Sequence, residues 1–144
     1  MKTFGKNVFN GLVRSKLINI TPYLFPKTLT VLNYHRIDNP FRRRIDTLRI
    51  NISATPEDFA QQMDYISAYF NVVTCNDLVN WLYGKKELPD RAAMITFDDG
   101  YFDNLSNAYP ILRERNLPAV IFLTTDFMGT RKPFYWDYIA YCFY

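Results

Sequence analysis

The stretch Ala92-Ala93-Met94-Ile95-Thr96-Phe97 stops at two adjacent carboxylates, Asp98 and Asp99, and Gly100 then lets the backbone turn. A run of this length is too short for a typical helix and suits a strand buried on both faces. Strands of that kind belong to parallel sheets covered by helices, so this one segment restricts the chain to an α/β architecture. The two acids fall at the strand's carboxyl end, where α/β sheets place their ligands. Two readings follow from the residues alone. Asp-Gly is a common turn signal, whereas two carboxylates this close ionise together only if a cation or hydrogen-bond donors compensate.

The rest of the chain repeats the strand-then-helix theme. Leu29 to His35 reads as a first strand, and Arg36 to Thr55 as a polar loop carrying Arg42, Arg43, Arg44 and Arg49. Thr55-Pro56-Glu57-Asp58 is a helix start, with threonine as N-cap, proline at the first helical position and acids in the first turn. Phe59, Met63, Ile66 and Phe70 follow at helical spacing and form a core stripe. Asn71 to Thr74 reads as a short strand, followed by a helix capped by Asn76 or Asp77. Its apolar residues are Leu78, Val79, Trp81 and Leu82, and Gly84 closes it. After Gly100 comes a helix over about 104–116 that Pro110 must delay or kink. Ala119 to Thr125 is a further apolar strand, and a last helix begins near Trp136. The alternation predicts parallel strands joined by crossover helices. The final helix lacks a cap, so the pattern reads as interrupted.

The chain has 144 residues, 49% of them hydrophobic and 22% charged, the balance of a folded globular domain. Its formal net charge of +3, with an arginine-rich loop but no recognition motif, gives no support to nucleic-acid binding. Lys2, Lys6, Arg14, Lys16, Lys27 and Arg36 all precede the first acid, Asp38. Residues 1–28 are therefore set apart as a basic arm or short helix, and 29–144 as the domain. Polar residues interrupt any signal-peptide core in the arm, and no run of about 18 apolar residues marks a transmembrane segment. The compartment stays open. Cys75 and Cys142 show neither metal-ligand spacing nor a disulfide framework, and buried free thiols are expected.

Thr96-Phe97-Asp98-Asp99-Gly100-Tyr101 resembles the first signature of the polysaccharide deacetylases, the NodB-homology group also called carbohydrate esterase family 4. Leu32-Asn33-Tyr34-His35-Arg36-Ile37 is similar to the family's first strand, and Phe70-Asn71-Val72-Val73-Thr74 to its second. Asn107 to Leu112, Leu117 to Thr125 and Pro133-Phe134-Tyr135-Trp136-Asp137 follow in the family's order, so the resemblance runs from about residue 29 to the end. It implies the amino-terminal part of a distorted β/α barrel.

The resemblance also implies a site. Asp98 falls on the family's general base and Asp99 on a ligand of its divalent metal, zinc or a similar ion. The family completes that metal with a His-x-x-x-His motif, which this sequence lacks; its single histidine, His35, lies upstream and is at most an auxiliary donor. Tyr101 and Trp136, with Tyr135, stand where rings could stack on sugar. The implied reaction is metal-assisted hydrolysis of N-acetyl or O-acetyl groups on a glycan. The chain alone is expected to bind metal poorly and to be inactive, and to self-associate through apolar edges left open. The family often acts at the cell envelope or outside the cell.

The competing class is a non-catalytic remnant that serves as a binding or interaction module. Phosphatases of the haloacid-dehalogenase type also end a strand in acids, but they need Asp-x-Asp spacing, which Asp98-Asp99-Gly100 does not supply.

Overall fold

The computed structural model describes residues 28–39 and 52–142. The basic arm, the arginine run and the final two residues lie outside the described residues. The elements in chain order are β1 (Leu29–Tyr34), β2 (Arg36–Ile37), β3 (Ile52–Ala54), α1 (Pro56–Tyr69), β4 (Asn71–Val72), α2 (Cys75–Leu82), β5 (Ala92–Asp99), α3 (Tyr109–Glu114), β6 (Val120–Leu123) and α4 (Tyr135–Cys142). One π-helical turn, Asn104–Ala108, leads into α3, and a 3-10 turn, Thr125–Phe127, follows β6.

β5 is the hub of the main sheet. β1 runs parallel to it along one edge, with Leu29 opposite Ala92 and Tyr34 opposite Phe97. The other edge is shared: β4 pairs with Ala92 and Ala93 at one end, and β6 with Thr96 to Asp99 at the other. All pairings are parallel, as an α/β fold with crossover helices requires. Ala92 through Phe97 are all buried, which is the two-faced burial expected of such a strand.

Period-two alternation divides β5 between two clusters. Ala93, Ile95 and Phe97 face Phe59, Met63 and Ile66 of α1 and Leu112 of α3. Tyr34, Phe59 and Phe97 form a three-ring contact with centroids 5.0–5.8 Å apart. Ala92 and Met94 face a smaller cluster with Val73, edged by Leu78 and Val120. Continuing the alternation, Thr96 and Asp98 fall on this second side, so the strand delivers one acid past its core face. Burial pushes the Tyr34 phenol up to about 12, and its hydroxyl donates to Gln62 Oε1 at 2.6 Å.

Helix starts agree with their chemistry. The Thr55 hydroxyl accepts from the Asp58 amide at 3.1 Å, and Pro56 opens α1. In α2 the cap is Thr74, not Asn76 or Asp77: its hydroxyl accepts from the Asp77 amide while the Asp77 carboxylate accepts from the Thr74 amide. This reciprocal capping box recruits Thr74 to the helix and shortens the preceding strand to Asn71–Val72. Gly84 follows α2 with a positive φ of 67°, as a closing glycine should. Ahead of Pro110 the chain widens into the π-helical turn, whose last bond runs from the Tyr109 amide to the Asn104 carbonyl. This places the missing proline donor in the first turn of α3, where an unbonded N–H would otherwise stand.

Two expectations need correcting. Residues Arg36 to Thr55 are not wholly loop, because β2 and β3 form a separate parallel pair. Two- and three-residue strands carry no periodic signal, and this pair is held by long-range bonds: Asp38 N–H donates to Ala54 O, and the Ile37 amide to Asp103 Oδ1. The two cysteines are free but exposed, not buried. Cys75 opens α2, a helix with no buried residue, and Cys142 closes α4, whose outer surface is bare.

Candidate active site

Thr96 is buried beside β1, and its hydroxyl lies 3.1 Å from the Leu32 carbonyl oxygen and 3.0 Å from Asn33 Oδ1. With its carbonyl end so engaged, the Asn33 amide nitrogen points along the sheet and donates to Asp98 Oδ2 at 2.7 Å. The register explains the meeting, because Asn33 is the direct neighbour of Thr96. His35 follows β1 and brings Nε2 to 3.8 Å from the same Asp98 oxygen, an ion pair whenever the imidazole is protonated. Among the described residues Asp98 Oδ1 takes no hydrogen bond, so one oxygen is held and the other is open.

Asp99 diverges from this side at a backbone break. Its φ is +69° and that of Gly100 is +71°, two consecutive left-handed residues. Aspartate tolerates that region better than most residues, and a glycine second lets the turn tighten. A Cβ on Gly100 would collide with the Leu123 side chain, so the turn lies hard against β6. Burial raises the Asp99 carboxyl above its ordinary range; the positive field of His35 opposes this, while Asp98 and Asp137 reinforce it.

Beyond the turn, the Tyr101 hydroxyl donates to Asp137 Oδ2 at 2.8 Å and accepts from Trp136 Nε1–H at 2.7 Å. Burial moves the Tyr101 phenol well above its usual value; the Trp136 bond pulls the other way, and Asp137 adds to the rise. The Arg36 guanidinium lies over the tyrosine ring, 4.8 Å from its centroid, and Arg36 Nε donates to Asp103 Oδ2 at 2.8 Å. A cleft of about 430 Å³ opens here, bounded by Asp99, Tyr101, Leu123, Phe127, Phe134 and Asp137. Trp136 does not line it. The indole stacks on Phe134 at 4.8 Å, behind the tyrosine.

The structure thus brings Asp98, Asp99 and His35 to one strand end, and joins Tyr101 to Trp136. Sequence reasoning missed Asn33, Asp103 and Asp137. Asn33 had a signal, a lone amide side chain inside an apolar strand. Asp137 lay in the family-like segment Pro133 to Asp137 without a role attached to it, and Asp103 had no signal, its partner Ile37 being 66 residues away.

A catalytic transition metal ordinarily takes three protein ligands. Among the described residues no group of three His, Cys, Asp or Glu side chains is placed to hold one. The donor set among the described residues does not amount to a metal site.

The parallel α/β sheet with alternating helices is shared by solved deacetylases of the NodB type. IcaB from Ammonifex degensii superposes with a TM-score of 0.62 at 29% identity, covering 74% of this chain and 42% of that one. The Streptococcus pyogenes deacetylase PplD, solved in complex with acetate, gives 0.62 at 24% identity over 76% of this chain and 49% of its own. The polysaccharide deacetylase family profile matches residues 85–140. The poly-beta-1,6-N-acetyl-D-glucosamine N-deacetylase of Staphylococcus epidermidis is 30% identical over 107 residues, 69% of this chain and 37% of that protein. The chain belongs to the polysaccharide deacetylase family. It spans about a third of the length of the curated relatives it matches.

Proposed function

We propose that this chain supplies the acidic part of a glycan deacetylase site, with Asp98 as general base and Asp99 as one carboxylate ligand of a divalent metal. The observation that carries the reading is the asymmetry of Asp98. Asn33 holds one carboxylate oxygen, the other takes no hydrogen bond among the described residues, and the adjacent Asp99 lines a cleft. A base needs one oxygen fixed and one free to accept a proton from water. The chain's own residues aim the Asp98 carboxylate and present the Asp99 carboxylate from a rigid turn. Tyr101 offers a ring at the cleft wall; Trp136 supports that ring from behind. His35 stands close enough to Asp98 to share its field.

The substrate class is an N-acetylated, or O-acetylated, glycan, and the reaction is hydrolysis of the acetyl group. By itself the chain is inactive, because among the described residues the acids lack enough further donors to hold a metal. It also self-associates, since Ile121, Phe122 and Leu123 of β6 are 45%, 56% and 51% exposed.

The test is a graft. Residues 29–142 replace the matching segment of the Staphylococcus epidermidis deacetylase, and acetate release from poly-N-acetylglucosamine is measured with zinc present. The chimera releases acetate, Asp98→Asn in it does not, and the isolated chain stays at background. A folded chimera whose acetate release is unaffected by Asp98→Asn would refute the assignment.

A further inference from the structure

Asp99 sits in a left-handed conformation that a side chain adopts only where the surroundings over-determine it. Leu123 blocks one side of the following glycine. The other constraint is Tyr101, the next residue along, which is held at every part of its side chain. Its ring centroid lies 4.8 Å from the Arg36 guanidinium and 5.1 Å from the Phe134 ring, and its hydroxyl donates to Asp137 and accepts from Trp136 Nε1–H. Arg36 is anchored in turn by Asp103.

Trp136 and Asp137 lie in the first turn of α4, a helix whose Tyr135, Tyr138, Ile139 and Tyr141 are all exposed. Although much of α4 is bare, Trp136 and Asp137 both bond to Tyr101, just beyond the strand-end turn. We infer that Trp136 and Asp137 are positioning residues for the acidic pair: through the Tyr101 hydroxyl they lock the Asp99-Gly100 turn in its left-handed form and so fix where the Asp99 carboxylate points. This deepens the deacetylase reading and takes its purpose from it. The lock itself is a statement of geometry and is tested without any turnover.

The experiment is solution NMR of the full chain, reading the three-bond HN–Hα coupling of Asp99, which reports φ and is insensitive to nearby charge. Asp137→Leu removes the acceptor and Asp137→Asn keeps one for the Tyr101 hydroxyl. The coupling departs from wild type in Asp137→Leu, stays at the wild-type value in Asp137→Asn, and departs at least as far in Tyr101→Phe, which also removes the acceptor of Trp136 Nε1–H. Combining Tyr101→Phe with Asp137→Leu adds nothing beyond Tyr101→Phe alone, because the phenylalanine already lacks both the Asp137 and the Trp136 bond. An Asp99 coupling unchanged in Asp137→Leu, or changed as much in Asp137→Asn, would overturn the inference. If Asp137→Leu does not fold, Tyr101→Phe against Asp137→Asn decides: only the first displaces the coupling. Loss of the lock would leave the base assignment of Asp98 standing, and failure of the graft would leave the lock standing.

Discussion

The two flanks of β5 are built from equally apolar sequence and end in opposite states. On the side of α1, α3 and β1, Phe59, Met63, Ile37 and Phe97 are among the most completely buried side chains, although Val31 of β1 is 55% exposed. On the β6 side, Ile121, Phe122 and Leu123 stand about half exposed, as do Tyr138 and Ile139 of α4. Apolar composition demands burial but does not supply the partner. The first flank has α1 and α3 laid across it, whereas among the described residues nothing covers the second to the same degree. The acids stand at the end of the strand that the two flanks share. The closed flank fixes Asp98 through Asn33, and the open flank fixes Tyr101 through α4.

The comparison can be broken first at its strongest point. Phe59→Ala, in the three-ring contact, should cost about 3–5 kcal/mol in chemical unfolding. A loss no larger than that from a surface change would mean the first flank is not the core. Asp103→Ala comes next. It removes the nearer of two carboxylates paired with a largely buried Arg36, leaving Asp38 at 3.5 Å, and removes the acceptor of the Ile37 amide, for an expected loss of about 2 kcal/mol. On the second flank, Phe122→Ser should alter stability by less than about 0.5 kcal/mol while lowering self-association in sedimentation. A large destabilisation there would show that β6 is covered after all.

The smallest effect concerns Asp99. Its carboxyl is raised, so the folded state holds the proton more tightly than the unfolded chain. The associated stability is present below the ordinary carboxylate value and is lost as pH rises through the raised one. Asp99→Asn keeps a residue suited to positive φ and removes the charge. Its melting temperature should therefore slightly exceed wild type at neutral pH, with the gain disappearing in acid. The carboxyl is partly open to solvent, which keeps the difference small.

How much the sequence reveals follows the same division. β5, the α1 cap and the Phe59-Met63-Ile66 stripe were legible because local spacing and local chemistry determine them. The pair β2–β3, the Thr74 cap and the exposed cysteines were not. The strand pair depends on a bond to Asp103 far along the chain, and Thr74 had two neighbours with equal claim to the cap. Burial of a thiol depends on what lies over it. At the site, Asp98, Asp99 and Tyr101 were marked by one contiguous motif. Asn33 becomes meaningful only once the β1–β5 register is known, and Asp137 only once α4 is seen to fold back onto Tyr101.

The central claim is that Asp98 and Asp99 form an acidic pair whose metal site needs ligands beyond those this chain brings together. Zinc titration calorimetry of the chain, with and without Asp99→Ala, tests it directly. The account predicts weak binding that does not saturate at micromolar zinc and changes little in the variant. Tight one-to-one binding abolished by Asp99→Ala would contradict it.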